Sequence, residues 1–240
     1  MIDEHFVYGM VDGRQSDDPV LTSIHRLRYQ VYVNEWGFET PEDHPDGLER
    51  DEYERHCLHF YARCRTGDDV VGSARIILGS ELPFPIERHF DISRFPVDGR
   101  RGTAAEISRL AISKDYRRRV IDRVIFSNGG GHLDEVGETF GVVQPAVYEE
   151  RRKCEHELIR GLYLLIYRES LRLGLTHWYA VMARGLYVIL RRWGIDFRQI
   201  GAEQDYHGVR APYVVDIRAM EKSLAKNNPE LASLAKIVAP

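Results

Sequence analysis

Strand-length apolar segments interleaved with helical periodicity predict a mixed α/β (α+β) domain with a largely antiparallel central sheet. Three observations carry this. The segments HCLHFYARC and VVGSARIIL flank Thr66-Gly67-Asp68-Asp69 as the two arms of a hairpin would. After residue 155, two helical patterns that end at glycines alternate with a short apolar run, WYAVM. Finally, DFRQIG and PYVVDI face one another across the turn-rich AEQDYHGVRA, as a terminal strand pair. With 43% hydrophobic and 29% charged residues, the 240-residue chain has ordinary globular composition and the length for a single domain.

The elements follow in order. Asp18-Pro19 supplies a capping carboxylate and a first-turn proline, and Leu21, Ile24, Leu27 and Val31 recur at helical spacing to about residue 35. Residues 39–55 are acidic and turn-rich, hence loop. The hairpin comes next, then a proline-rich connection over 82–99. AAEISRLAIS (104–113) reads as a strand, followed by the triplet Arg117-Arg118-Arg119 and a helix to about Phe126. Residues 127–155 read as an insertion, a lid or a disordered loop. Leu158, Leu162, Leu165 and Ile166 mark a helix that stops at Gly174. ARGLYVILRRWG is a second helix ending at Gly194, and the tail from about residue 219 is helical.

Bulk properties narrow the class. A net charge of −4 gives no general attraction for nucleic acid or anionic lipid. Three cysteines, Cys57, Cys64 and Cys154, form no disulfide framework and suit a reducing compartment. MIDEHFVYGM lacks the apolar core of a signal peptide, and no run reaches membrane-spanning length. The expectation is a cytoplasmic protein.

No Gly-x-Ser-x-Gly, His-Glu-x-x-His or Cys-x-x-Cys motif occurs. His56, Cys57, His59 and Cys64 fit no common zinc spacing, so no metal is expected. The informative anomalies are charges inside apolar elements: Arg28, Arg75, Glu106 and Arg109, with Asp51 and Glu54 just before the hairpin. Buried charges are costly alone, so these groups are expected to pair. Such a cluster is either a structural ion network or an active site. On an ideal strand Glu106 and Ser108 share one face and Arg109 takes the other, which reads Arg109 as structural or aimed at the helix layer rather than as a partner of Glu106.

The succession Arg28-x-x-x-Tyr32, Asp51-Glu-Tyr-Glu54, Gly72-Ser-Ala-Arg75 and Glu106-Ile-Ser-Arg109 resembles the signature of acyl-homoserine-lactone (autoinducer) synthases. Their pattern is Arg-x-x-x-Phe, Asp-x-x-Asp, Gly-x-x-Arg and Glu-x-Ser-Arg, so Tyr32 and Glu54 are mild departures. Phe38 stands at the spacing of a later tryptophan, with Trp36 nearby. The second half, GLYLLIYRESLRLGLTHWYAVM, LRRWGIDFRQIG and DYHGVRAPYVVDI, is similar instead to the PEP-CTERM/exosortase system-associated acyltransferases. Those proteins are related to bacterial N-acyl amino acid synthases and share the GNAT fold.

The resemblance, over roughly residues 20–218, implies a GNAT-like N-acyltransferase that moves a long-chain acyl group from acyl carrier protein to an amine. RRRVIDR lacks the glycines of a pyrophosphate loop, which favours a carrier-bound phosphopantetheine over coenzyme A, with Arg117, Arg118 and Arg119 meeting its phosphate or the carrier. No permanently bound cofactor is expected. Glu106 is the expected general base, and burial would have to raise it from about 4.3 against the pull of nearby arginines. Backbone N–H groups freed by a bulge would serve the oxyanion. Asp51 is expected to orient the acceptor's ammonium, and Arg75 either to hold its carboxylate or to organise the acidic cluster. Arg28, Tyr32, Phe38, Glu54, Ser108 and Arg109 are expected on the substrate side. His207 and Arg210, in the turn around Gly208, read either as turn chemistry or as recognition. Leu82, Phe84, Ile86 and Phe90 line an acyl tunnel or belong to the core. Two alternatives stand beside this: an acyl-homoserine-lactone synthase using S-adenosylmethionine, and a non-catalytic acyl-binding or regulatory protein.

Overall fold

Asp18 caps the first helix as its place before Pro19 predicts: its side chain accepts the Val20 N–H at 2.7 Å. The computed structural model describes residues 5–79, 82–116 and 145–237, the side chains of 145–155 and 234–237 excepted. Helix α1 runs over Pro19–Tyr29, burying Leu21, Ile24 and Leu27. The chain then widens into a π-helical turn, Gln30–Glu35, closed where the Tyr32 carbonyl accepts N–H groups of Phe38 and Glu39 at 2.7 and 3.2 Å.

The strands are β1 (Phe6–Asp12), β2 (Cys57–Cys64), β3 (Val70–Leu78), β4 (Ala104–Ile112), β5 (His177–Met182), β6 (Arg198–Gln199), β7 (Gln204–Asp205) and β8 (Val209–Asp216). Their order is β1-β2-β3-β4-β5-β8-β6, with β7 on β8. Every pairing is antiparallel except β4 with β5. The remaining helices are α2 (Pro85–His89), α3 (Pro145–Arg172), α4 (Arg184–Arg192), α5 (Ile217–Asn227) and α6 (Pro229–Ile237). This is a mixed α/β architecture with a largely antiparallel central sheet, as expected. One sheet face packs on α3, α4 and α5 through Phe60, Ile76, Ile107, Leu162 and Trp178. The other is covered by α1 at one end and by α2 with its flanking loops at the other.

Several boundaries differ from the sequence reading. Strand β1 was not expected, since FVYGMVD alternates poorly: Phe6 and Val11 are buried while Val7 and Met10 are 47% and 41% exposed. As an edge strand it needs only one face and one partner. Helix α3 begins at Pro145, so the last part of the expected insertion is helical. Residues 127–144 and the expected helix to Phe126 lie outside the described residues. Gly174 and Gly194 end α3 and α4 with φ of +67° and +91°, and α5 and α6 form the helical tail.

Phe84, Ile86 and Phe90 are core, packed with Tyr53, Ile77 and Tyr179. That settles the open choice for them, and for Leu82 packed beside them, in favour of core. Cys57 and Cys64 are free thiols.

The end of β1 also fixes the loop that carries the acidic residues. The Gly13 N–H donates to the Cys57 carbonyl at 3.0 Å, and a Cβ at Gly13 would stand 1.8 Å from the Glu54 carbonyl oxygen. Gly13→Ala is therefore expected to cost about 1–3 kcal/mol in denaturant unfolding, by driving two backbone segments apart.

Candidate active site

Strand β4 is central to the sheet, and it is irregular where the charges sit. Its pairing to β3 runs Ile77 with Glu106 and Arg75 with Ser108, then skips to Ser73 with Ala111. Two residues of β4, Arg109 and Leu110, therefore oppose one of β3, and Arg109 adopts φ +52°. That is the signature of a β-bulge, and the left-handed region is uncommon for a residue other than glycine. On the other side, β4 pairs with β5 only from Ala104 to Ile107. Beyond that the two strands part.

A cavity of about 420 Å³ opens at the parting. Glu106, Ser108, Arg109 and Leu110 wall it from β4, Arg75 from β3, and Ala180 to Met182 from β5. Tyr32 and Phe38 close one side, Asp51 and Glu52 another, and Tyr206, His207 and Arg210 a third. Nine of the expected site residues thus meet around one space: Tyr32, Phe38, Asp51, Arg75, Glu106, Ser108, Arg109, His207 and Arg210. Arg28 and Glu54 do not reach it. Arg117, Arg118 and Arg119 lie outside the described residues.

The ion network explains the charges inside the sheet. Arg75, 1% exposed, forks onto Asp51 with Nη1 and Nη2 at 2.7 and 2.5 Å. It also donates to Glu54 at 3.1 Å and, through Nε, to Ser108 Oγ at 2.9 Å. Four of its five N–H donors are thereby committed within the protein, which supports the role of organising the acidic cluster over that of holding an acceptor carboxylate. Arg28 pairs with Glu49 and, at 3.0 Å, with Glu54, behind the cavity wall. This corrects the expectation that Arg28 and Glu54 face substrate.

Arg109 lines the cavity instead of taking the opposite face that regular alternation predicts, and its ion pairs fit the structural reading. It joins the same cluster as Arg75, reaching Glu49 and Glu39 at 3.0 Å each and Asp51 at 3.5 Å, with its guanidinium 5.4 Å from the Tyr32 ring centre. Ideal alternation failed here because the bulge turns the strand by one residue.

Electrostatics follow from this packing. Burial alone would raise Glu49, but Arg28 and Arg109 pull it down to about 2. Asp51 is likewise held below the usual carboxylate range: burial is outweighed by Arg75 and Arg109. Glu106 goes the other way. It is 2% exposed, and burial pushes it up to about 8, opposed by a 2.9 Å hydrogen bond from the Ile86 N–H and by Arg75. The arginines lower it less than their number suggests, because Arg28, Arg75 and Arg109 meet four carboxylates, Glu39, Glu49, Asp51 and Glu54. Little positive field is left over for Glu106.

His25, Glu54 and His59 bring three potential metal-ligating atoms within 4.8 Å. Both Nε2 atoms already meet the same Glu54 oxygen, at 2.9 and 2.8 Å, while Arg28 and Arg75 take the other. Glu54 is held far below the ordinary range, burial being overcome by Arg28, His25 and His59. Two guanidiniums already supply the positive charge this carboxylate calls for, which argues against a divalent ion at the same place.

Some site residues were not picked out by sequence reasoning. Glu39 and Glu49 sit among eight acidic residues in 39–55, with nothing local to set them apart. Leu110, Tyr163, Met182 and Leu186 supply apolar wall. Each also reads as ordinary core. Phe38 does line the cavity, with Trp36 stacked behind it at 6.0 Å.

Comparison with known proteins bears on the fold. The family described as Acetyltransferase (GNAT) domain matches residues 27–127, a span from α1 through β4. No curated protein sequence matches the chain. Among solved structures, the chain is similar to the AHL synthase LasI, with a TM-score of 0.61 and 17% identity over 92% of this chain and 95% of that one. It is similar to FeeM, an N-acyl amino acid synthase from uncultured soil microbes, with a TM-score of 0.55 and 13% identity over 91% and 93%. It is also similar to BjaI, a CoA-dependent acyl-homoserine lactone synthase solved with SAM and isopentyl-CoA, with a TM-score of 0.61 and 18% identity over 94% and 89%. At these identities the likeness is one of fold. Among the described residues, no helix is long and apolar enough to cross a membrane.

Proposed function

We propose that the protein is an N-acyltransferase, moving a long-chain acyl group from the phosphopantetheine thioester of acyl carrier protein to the amine of an amino acid or a related small molecule. The observation that carries this is Glu106: a buried carboxyl on a cavity wall, beside a strand bulge, raised to about 8. A base of that strength is far better matched to an ammonium than an ordinary glutamate, and a thioester carbonyl lying along the parted strands would meet the bulge.

In this reading the amine nitrogen attacks the thioester carbon, forming C–N as C–S breaks. The ammonium first loses one proton to solvent. The ionised form of Glu106, a fraction that grows as pH rises toward 8, then takes the second proton from the attacking nitrogen, directly or through one water, and passes it to the departing thiolate. The products are an amide and a free thiol. Asp51, on the cavity wall, helps hold the ammonium before its proton is lost, while Arg75 and Arg109 keep Asp51 ionised. His207 and Arg210, with Phe38, form the far rim, where an acceptor's remaining polar groups would rest. Placement in the PEP-CTERM/exosortase-associated branch rests on the sequence of the second half.

The test is incubation with acyl carrier proteins of several chain lengths, or acyl-coenzyme A, and a pool of amino acids plus S-adenosylmethionine, read by mass spectrometry. An N-acylated amino acid formed from the carrier donor is the expected product. An acyl-homoserine lactone would move the reading to the S-adenosylmethionine alternative. No acyl adduct with any donor would leave the acyl-binding alternative ahead.

A further inference from the structure

The bulge in β4 has no strand partner of its own. Arg109 and Leu110 lack a register partner on β3, and pairing to β5 has already ended at Ile107. An unpaired pair of residues in a sheet interior should be loose unless something else holds it. Arg109 is tied by ion pairs to Glu39, Glu49 and Asp51, and both bulge residues are also held from the π-helical turn after α1. The Tyr32 hydroxyl donates to the Leu110 carbonyl at 2.9 Å, across 78 residues of sequence. The same ring lies under the Arg109 guanidinium at 5.4 Å. Tyr32 is itself fixed from behind, since its carbonyl accepts the Phe38 and Glu39 N–H groups. Burial pushes its phenol up to about 12, so the hydroxyl keeps its proton throughout the working range.

We infer that Tyr32 is a positioning residue, a clamp that holds both bulge residues of β4 at once, its ring on Arg109 and its hydroxyl on Leu110. The π-helical turn serves this clamp. It sets Tyr32 at the cavity wall while the preceding α-helical turns bury Ile24, Leu27 and Arg28. The kinetic consequence rests on the acyl-transfer reading; the clamp itself does not. Peptide groups of the bulge border the place where a substrate carbonyl would sit, and small displacements there are costly in rate.

Tyr32→Phe separates the two halves of the clamp, because it keeps the ring and deletes only the hydroxyl. Tyr32→Leu removes both. Two measurements are made on each full-length variant: hydrogen–deuterium exchange across residues 106–113, and steady-state transfer from acyl carrier protein. In Tyr32→Phe, exchange at 109–111 is expected to rise about fivefold, the weight of one neutral hydrogen bond. Turnover should fall about tenfold with the donor KM held within about threefold, the pattern of a group acting on the transition state. Tyr32→Leu should exceed both changes. Unchanged exchange at the bulge would overturn the clamp. Faster exchange with unchanged kcat, or a rise in KM alone, would overturn the positioning role. Uniformly faster exchange over the whole chain would mark a general loss of stability and overturn it as well. If the unsubstituted protein transfers no acyl group, the acyl-transfer reading fails by itself, and the exchange comparison still decides the clamp.

Discussion

Glu106→Gln is expected to lower turnover by about two to four orders of magnitude, the usual range for removing a general base. The substitution is close to isosteric, and the new amide oxygen can still accept the Ile86 N–H that now reaches Glu106 at 2.9 Å. Loss of rate should therefore come without loss of fold. Linkage predicts more. Glu106 is raised to about 8 in the folded protein, well above its unfolded value. Between those two values the native state holds a proton that the unfolded chain has released. The stability this contributes is complete at acid pH and is lost as pH climbs through about 8, at about 1.4 kcal/mol for each pKa unit of difference. Glutamine carries no such slope. The variant should thus be the more stable protein above pH 8 while being nearly inactive, and thermal melts across the pH range will show it. Full activity in Glu106→Gln would remove the base from the mechanism.

Glu49→Ala should give the largest loss of stability at the site. Glu49 pairs with Arg28 through one oxygen and with Arg109, at 3.0 Å, through the other; Arg28 and Glu49 are each 1% exposed. Removing it leaves a buried guanidinium short of its counter-charge, a change that costs about 3–5 kcal/mol when a buried pair is broken. In a domain of this size that is a fall in Tm on the order of 10 °C. Calorimetry on Glu49→Ala, Arg28→Met and the double variant checks this. The double variant should lose less than the two single losses together, because it leaves fewer charges stranded. Additive losses would mean that the two side chains do not act as a pair.

Much of the fold could be read from local chemistry. The Asp18 cap, the hairpin turn at 66–69, and the helix stops at Gly174 and Gly194 each rest on a few adjacent residues, and each stands where expected. Strand β1 escaped notice because an edge strand can expose Val7 and Met10 and so lose its period. At the site, residue type was informative and direction was not. A charge in an apolar strand announces that it must pair, so the arginines and carboxylates were visible as a group. Their partners were set by long-range packing: Arg28 meets Glu49 and Arg109 meets Glu39 because α1, the acidic loop and β4 converge. Nothing in EISRL tells that Arg109 takes φ +52°. That one dihedral moves it from the face expected of a regular strand into the cavity wall.

Beneath the Glu106 prediction and the proposed mechanism lies one statement, that the sheet raises this glutamate to about 8 at the edge of an open cavity. Carboxyl-carbon NMR of protein carrying isotope-labelled glutamate addresses it directly, with the Glu106 signal identified by its absence from Glu106→Gln. A titration midpoint near 8 for that signal is the predicted result. A midpoint below about 5, in the range of ordinary glutamates, would contradict the account.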